Sequence, residues 1–163
     1  MKKVLIANRG EIAMRVIRAV ADLGLRSVAG YAQDDANSSH VQLADTAVAL
    51  QASGPSAYLD IPALLAIARE QGCDAVHPGY GFLSERADFA QACAQAGVTF
   101  IGPTPEQLAL FGDKAAARAL AQRCDVPVMP GSPAAVTLEQ APAFSAEQAK
   151  DGAGVMVKDL RGG

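Results

Sequence analysis

The feature that most constrains the fold is an alternation of short apolar runs with helix-forming runs over the first hundred residues. Residues 4–7 form a continuous apolar run, as expected for a strand that is buried on both faces. Alternation with short connections predicts a parallel sheet covered by helices on both sides. We therefore predict an α/β fold, a small Rossmann-like, doubly wound domain of about five strands that ends near Gly102. The other predicted strands are 27–31, 46–50, 74–77 and 98–101.

Helix positions follow from apolar spacing and from capping residues. Ile12, Val16 and Val20 share one helical stripe, and Gly24 ends that helix. Asp60 can cap the start of another helix. The further helices predicted in this domain are 38–43, 61–71 and 87–96.

The sequence changes character after Gly102. Residues 104–107, Thr-Pro-Glu-Gln, form a capping box that begins a helix broken near Gly112, and Asp113 caps a second helix to about Arg123. A helix over 139–150 and an apolar strand over 155–157 are also expected. We predict three parts: a domain over 1–102, a helical linker over 103–134, and an incomplete second domain over 135–163.

Composition excludes several classes of protein. Half of the 163 residues are apolar and 19% are charged, so a packed core is expected and disorder is not. The net charge of −3 and the lack of a Lys/Arg cluster argue against nucleic-acid binding. No apolar run approaches a membrane span or a signal-peptide core. Cys73, Cys93 and Cys124 have no metal or disulfide spacing, which predicts reduced, core-packed thiols and a cytoplasmic protein.

Two loops are candidates for chemistry, because ligands of open parallel sheets bind at the carboxyl ends of the strands. Residues 8–11, Asn-Arg-Gly-Glu, lie where a dinucleotide-binding unit carries G-x-G-x-x-G, and one glycine argues against an NAD-dependent oxidoreductase. Arg9 could bind a phosphate or pair with a nearby carboxylate. Gly79 and Gly81 flank Tyr80 and allow positive φ, so this second loop can lie close to a ligand or to a neighbouring segment.

Three motifs in series resemble a known family. "IANRGEIAMRVIRA", "HPGYGFLSE" and "IGPTPEQLALFGDK" closely resemble biotin carboxylase, the ATP-grasp component of acetyl-CoA, propionyl-CoA, pyruvate and related carboxylases. The likeness runs from Lys2 to about Ser132. It implies that residues 1–102 are the pre-ATP-grasp N-terminal domain and that 135–163 begin the ATP-grasp lid domain. In this family the first turn binds no dinucleotide, so one glycine suffices, and residues 8–11 brace the domain against the rest of the enzyme.

The resemblance also implies functional residues, although no catalytic residue or metal ligand is assigned. Lys114 and Lys158 match lysines that bind the phosphates of ATP, where a flexible ammonium group acts as a point charge. Arg15 falls on the helix that forms the dimer contact in bacterial members. The residues expected to line the biotin cleft, with Tyr80 nearest the ring, are His77, Gly79, Tyr80, Gly81 and Glu85.

The implied reaction uses ATP, Mg²⁺ and bicarbonate to carboxylate biotin on a carrier protein or domain, for transfer by a carboxyltransferase, with a place in fatty acid biosynthesis. The sequence lacks counterparts of the family's metal-binding glutamates, bicarbonate-binding arginine and base, so this chain alone is expected to be inactive. It also departs from the family at residues 159–161, Asp-Leu-Arg, where members carry a small residue and glycines. A non-catalytic binding or assembly module is therefore the alternative. Other ATP-grasp ligases would not be expected to carry residues 77–85 in this form.

Overall fold

The structure, a computed structural model, describes residues 1–129, 131–132, 136–137, 139–148 and 156–157. It divides into two compact units, Met1–Leu108 and Ala109–Gly163. The strands of the first unit are β1 (Lys3–Ile6), β2 (Arg26–Tyr31), β3 (Thr46–Ala49), β4 (Ala75–His77) and β5 (Thr99–Phe100). Its helices are α1 (Gly10–Asp22), α2 (Ser39–Leu43), α3 (Ile61–Glu70) and α4 (Ala87–Gln95), with short 3₁₀ turns at Gln33–Asp35 and Pro55–Leu59. Helix α5 (Pro105–Gly112) contains the division between the units.

The five strands form one parallel sheet in the order β3-β2-β1-β4-β5. Strand β1 lies at the centre, with Ile6 level with Ala29 of β2 on one side and with His77 of β4 on the other. The chain winds outward from β1 in one direction to β3 and in the other to β5. This reversal of strand order between β1 and β4 confirms the predicted doubly wound α/β fold.

Side chains of β1 alternate between two cores, one on each face of the sheet. Val4 and Ile6 pack with Val16 and other residues of α1, whereas Leu5 packs on the opposite face with residues of α3 and α4 such as Leu64. All of these β1 side chains are fully buried. The continuous apolar run at residues 4–7 therefore reflects burial on both faces.

Helix ends follow the predicted signals. Gly24 adopts φ +69° just after Leu23, the C-cap residue of α1. Asp60 accepts a hydrogen bond from the backbone N–H of Ala63 at 3.0 Å, which caps α3. Thr104 and Gln107 bond each other's backbone N–H groups reciprocally, at 2.9 and 3.3 Å, and this pair is the predicted capping box of α5.

The second unit contains α6 (Lys114–Arg123) and α7 (Ala141–Gln148). Helix α7 lies within the predicted range of 139–150, and residues 149–150 are outside the described part of the chain. The predicted strand over 155–157 is not formed at Met156 or Val157, while Val155 also falls outside the described residues. A strand needs a partner for its backbone groups, and the described residues after Phe100 contain no other strand.

The cysteines divide into two kinds. Cys73 and Cys93 are buried, as predicted, and burial raises the pKa of each thiol to about 11. Cys124 was predicted to be a core residue, but it is exposed. It follows the last turn of α6, a helix with no buried residue, so this helix offers it no core. All three thiols are free.

His40 is a buried polar residue that the sequence analysis did not identify. It lies on α2, it is completely buried, and neither ring nitrogen has a hydrogen-bond partner within the described part of the chain. The pKa of His40 is lowered, mainly because burial disfavours the charged imidazolium. The negative charge of Asp35 acts to raise this pKa, and the positive charge of Arg9 acts to lower it further. His77 also has a pKa lowered by burial. These are the two histidines of the chain.

These pKa shifts predict a loss of stability in mild acid. Because both folded-state pKa values lie below the ordinary 6.5, the unfolded chain binds more protons once the pH falls below about 6.5. Each histidine can therefore destabilise the fold by at most about 1.4 kcal/mol per pH unit below that point. We expect His40→Leu to flatten the decline in the free energy of unfolding, measured by urea denaturation between pH 7.5 and 5.

The carboxylates of Asp45 and Asp74 change the free energy of unfolding at a lower pH than the histidines do. The pKa of Asp45 is lowered by hydrogen bonds from Ser27. Desolvation acts to raise the pKa of Asp74, but hydrogen bonds from the backbone N–H groups of Lys3 and Lys2, together with the charge of the N-terminus, outweigh it and lower that pKa. Their stabilisation is complete above the ordinary pKa of 3.8 and is lost only as the pH falls below it. Equal slopes for the wild type and His40→Leu between pH 7.5 and 5 would contradict the prediction.

Candidate functional site

The candidate site lies at the carboxyl ends of β1 and β4, where the strand order of the sheet reverses. The two strands are neighbours, and the pairing continues past them through a hydrogen bond of 3.0 Å from the Ala7 N–H to the His77 carbonyl. Two loops leave the sheet here, residues 7–9 before α1 and residues 78–86 before α4. The crevice beside such a reversal is the usual ligand position in open α/β sheets.

Asn8 cross-links the two loops. Its side chain is fully buried, and its Nδ2 group donates to the carbonyl of Pro78 at 2.7 Å and to the carbonyl of Tyr80 at 3.0 Å. Its Oδ1 atom accepts from the backbone N–H of Arg9 at 2.9 Å. Both donor protons and the acceptor of the amide are therefore used within the protein.

Gly79 is in direct contact with this amide. Its φ is +67°, and a Cβ atom at this position would lie 2.6 Å from Cγ2 of Ile12 and 2.7 Å from Nδ2 of Asn8. Any side chain here would therefore collide with the first loop and with α1. Of the two uses that the sequence allowed for Gly79, the structure shows the approach to a neighbouring segment. At Gly81, whose φ is +70°, an added Cβ atom would have no such neighbour within 4 Å.

His77 supports the same turn through its ring. The backbone N–H of Gly79 donates to Nδ1 of His77 at 3.0 Å, so Nδ1 carries no proton. The neutral ring must then hold its proton on Nε2. Burial lowers the pKa of His77, which favours this neutral form. The imidazole thus stabilises the loop and can offer one N–H donor.

Tyr80, Gly81 and Glu85 are the exposed members of the predicted cleft. The Tyr80 side chain is held at its end by Glu11, whose Oε2 atom accepts from the Tyr80 hydroxyl at 3.3 Å, yet Tyr80 remains 62% exposed. Glu85 is also exposed, further along the same loop. The structure therefore gathers His77, Gly79, Tyr80 and Gly81 at one turn, with Glu85 exposed further along the same loop.

Beside this turn is an ion pair that the sequence did not reveal. Arg9 contacts Oδ1 of Asp35 at 2.8 Å, and Oδ2 of the same carboxylate accepts from the Tyr58 hydroxyl at 2.8 Å. The Tyr58 hydroxyl accepts in turn from the N–H of Ala32, and the Arg9 guanidinium lies 5.8 Å from the Tyr58 ring centre. Burial, followed by the bond to Asp35, raises the pKa of Tyr58. Of the two partners considered for Arg9, the structure shows the carboxylate.

One sequence signal could have located this pair. Arg9 follows β1 and Asp35 follows β2, and the carboxyl ends of neighbouring parallel strands meet at the same edge of a sheet. In dinucleotide-binding folds, an acidic residue near this place binds the ribose of the ligand. Here the carboxylate is held by Arg9 and Tyr58 instead.

The remaining predicted residues are Lys114, Lys158 and Arg15. Lys114 begins α6 in the second unit, after Asp113, whose Oδ1 accepts from the N–H groups of Ala115 and Ala116. Lys158 is outside the described residues. Arg15 is exposed on α1, away from the buried stripe of that helix. Within the described ranges, no cluster of His, Cys, Asp or Glu could hold a metal ion, and no helix is long and apolar enough to span a membrane.

Comparison with known proteins gives consistent matches. The family model described as "Biotin carboxylase, N-terminal domain" matches residues 1–108. Human mitochondrial pyruvate carboxylase is 55% identical over 148 residues, which are 89% of this chain and 13% of that protein.

Two solved structures extend the similarity to the fold. The biotin carboxylase domain of a single-chain bacterial carboxylase is 60% identical, with a TM-score of 0.90 over 99% of this chain and 37% of that one. The second structure is the biotin carboxylase domain dimer of Hydrogenobacter thermophilus 2-oxoglutarate carboxylase, in complex with MgADP, ADP and bicarbonate. It is 43% identical, with a TM-score of 0.86 over 90% of this chain and 32% of that one. This chain thus spans 13% to 37% of the length of these three proteins.

The two glycines beside Tyr80 allow a matched test of the loop contact. Gly79→Ala and Gly81→Ala both place a side chain at positive φ, which costs about 1–2 kcal/mol. Only Gly79→Ala also forces a collision with Ile12 and Asn8, which adds about 1–3 kcal/mol. Urea denaturation should therefore show Gly79→Ala as the less stable variant. Equal losses would contradict the close contact.

The ion pair can be tested against an exposed one. Arg9→Ala leaves the buried carboxylate of Asp35 without its cation and should cost about 1–3 kcal/mol of stability. The control is Arg86→Ala, which breaks an exposed pair with Asp88 and should cost about 0–1 kcal/mol. Thermal and urea unfolding of the two variants would measure the difference, and a larger loss for Arg86→Ala would refute the assignment.

Proposed function

This chain belongs to the family of biotin carboxylase N-terminal domains, and we propose that it is the N-terminal part of a biotin carboxylase. The full-length enzyme would use ATP and bicarbonate to carboxylate biotin on a carrier protein or domain. The observation that carries the proposal is the turn around Tyr80, which is rigidly held at the reversal of the sheet and presents an exposed aromatic side chain. In a member of this family, such a surface is suited to a flat, uncharged ring.

Biotin is proposed to bind at the turn formed by His77, Gly79, Tyr80 and Gly81, with Glu85 further along the same loop. The ring of Tyr80 supplies apolar contact. Gly81 has no side chain and free space where one would lie, so a ligand can approach the backbone there. His77 is held neutral and can donate from Nε2 to a carbonyl oxygen. These groups bind and orient a ligand, and we assign no proton transfer to them.

ATP is proposed to bind through Lys114 and Lys158. Lys114 stands at the first position of α6, and its ammonium group is of the kind that binds phosphate oxygens. Bound MgATP would supply the phosphoryl group that activates bicarbonate. The contribution of this chain would be to bind and orient the phosphates. The MgADP and bicarbonate in the H. thermophilus structure support this choice of ligands.

The domain limits, partners and location are proposed as follows. Residues 1–102 form the pre-ATP-grasp domain, 103–134 the helical linker, and 135–163 the beginning of the ATP-grasp lid domain. Arg15 lies at a homodimer contact, and the partners are a biotin carboxyl carrier and a carboxyltransferase in the cytoplasm. A role in fatty acid biosynthesis is proposed from the resemblance to the family alone, since the matched proteins named for pyruvate and for 2-oxoglutarate are 55% and 43% identical to this chain.

A non-catalytic assembly module is the second candidate. The sequence Asp159-Leu160-Arg161 favours it, because an acidic side chain next to the phosphates would repel them. Calorimetric titration of the 163-residue chain with MgATP distinguishes the two candidates. Heat of binding that is reduced in Lys114→Gln supports the partial nucleotide site, whereas an absence of binding supports the module.

The enzymatic proposal predicts two separable defects in the full-length enzyme. Tyr80→Ala should raise the KM for free biotin about three- to tenfold through loss of aromatic contact, without changing the KM for ATP. Lys114→Gln should raise the KM for ATP about ten- to a hundredfold and leave that for biotin unchanged. Initial rates of biotin-dependent ATP hydrolysis measure both values.

The control is Lys2→Gln, which removes an exposed lysine outside the proposed sites and should change neither KM. If Tyr80→Ala leaves the KM for biotin at the wild-type value, Tyr80 does not contact biotin and the proposed cleft is wrong. The 163-residue chain by itself should hydrolyse no ATP in response to biotin.

A further inference from the structure

The backbone of Tyr80 is fixed on both sides. Its carbonyl oxygen accepts from Nδ2 of Asn8 at 3.0 Å, and the flanking Gly79 and Gly81 have φ values of +67° and +70°. The loop is closed after it by a hydrogen bond of 3.0 Å from the N–H of Ser84 to the carbonyl of Gly81. The position of the Tyr80 Cα atom is therefore set by the fold.

The side chain of Tyr80 is fixed at one point only. It is 62% exposed, and in the described part of the chain no other aromatic ring packs against it. Its hydroxyl donates to Oε2 of Glu11 at 3.3 Å. An exposed tyrosine without such a contact can occupy several staggered χ1 positions.

Glu11 is a suitable anchor for this contact. It lies in the first turn of α1, and α1 is held to the sheet by buried residues such as Val16 and Val20. A carboxylate at the start of a helix also interacts favourably with the helix dipole. The acceptor oxygen is thus carried by an element that does not depend on the position of Tyr80.

We infer that Glu11 is a positioning residue that holds the Tyr80 ring in one rotamer and so preorganises the biotin site. This inference rests on the proposed function, in which Tyr80 contacts biotin. Ligand binding to a ring that is already ordered avoids the entropy cost of ordering it. Glu11 acts through Tyr80 and touches no reacting atom.

The contact also restricts what Tyr80 can recognise. Its single hydroxyl proton is given to Glu11, so the hydroxyl can only accept from a ligand. The carboxylate beside it disfavours an anion at that end of the ring. The ligand class that fits is an uncharged ring with its own N–H donors, as in a cyclic urea.

The test uses the full-length enzyme and free biotin. Glu11→Ala should raise the KM for biotin about two- to tenfold, the effect of one lost hydrogen bond. The kcat at saturating biotin and the KM for ATP should be unchanged, because only ground-state ordering is lost. Glu11→Gln retains an acceptor oxygen and should restore the KM for biotin to near the wild-type value.

Glu106→Ala is the matched control, because Glu106 is also an acidic residue in the first turn of a helix. It should leave the KM for biotin unchanged and so separates loss of helix stabilisation from loss of the Tyr80 contact. Tyr80→Phe removes the other end of the hydrogen bond. It should match Glu11→Ala, and the double variant should be no worse than either single one.

The outcomes separate the inference from the proposed function. If Tyr80→Ala raises the KM for biotin while Glu11→Ala behaves like Glu106→Ala, the positioning role is overturned and the proposed cleft stands. If Tyr80→Ala has no effect on that KM, both are overturned. Should Glu11→Ala fail to fold by circular dichroism, Tyr80→Phe decides, and an unchanged KM in Tyr80→Phe overturns the inference.

Discussion

The arrangement of the site depends on one buried amide. The Nδ2 group of Asn8 donates to the carbonyls of Pro78 and Tyr80, and these two hydrogen bonds join loops that are 70 residues apart in the chain. A buried carbonyl that loses its donor costs about 1–3 kcal/mol, so the amide strongly favours one conformation of the second loop. Gly79 lies so close to it that only glycine fits. The exposed position of Tyr80 follows from these contacts.

The same contacts explain why a Rossmann-like sheet carries no dinucleotide fingerprint. In dinucleotide-binding folds, the crevice at the reversal of strand order receives the pyrophosphate, and an acidic residue beyond the second strand binds ribose. Here Asn8 and Gly79 occupy the space between the loops, and Asp35 is neutralised by Arg9 and bonded by Tyr58. The sheet geometry is thus retained while its ligand-binding edge is used to shape a loop.

The loop that carries Tyr80 is held in one conformation by several polar contacts. His77 accepts from the N–H of Gly79, Asn8 holds the next carbonyls, and Glu11 holds the end of the Tyr80 side chain. Three polar groups, from the ends of β1 and β4 and from the first turn of α1, therefore converge on one turn, and each is supported by an element packed into a core. Sites on such supported loops can hold a ligand-contacting ring with little loss of entropy on binding.

The sequence by itself determined the fold class, the number of strands and most helix ends, whereas the order of the strands was read from the structure. These depend on local patterns: the buried run at residues 4–7, the Asp60 cap, the capping box at Thr104, and the glycines beside Tyr80. Only the tertiary structure decided the long-range partners, including Asn8 with Pro78 and Arg9 with Asp35, the exposure of Cys124, and the absence of a strand at Met156 and Val157. The reason is physical. A cap or a turn is satisfied by neighbours in sequence, whereas the partner of a loop side chain is fixed only when the strands beneath it lie side by side.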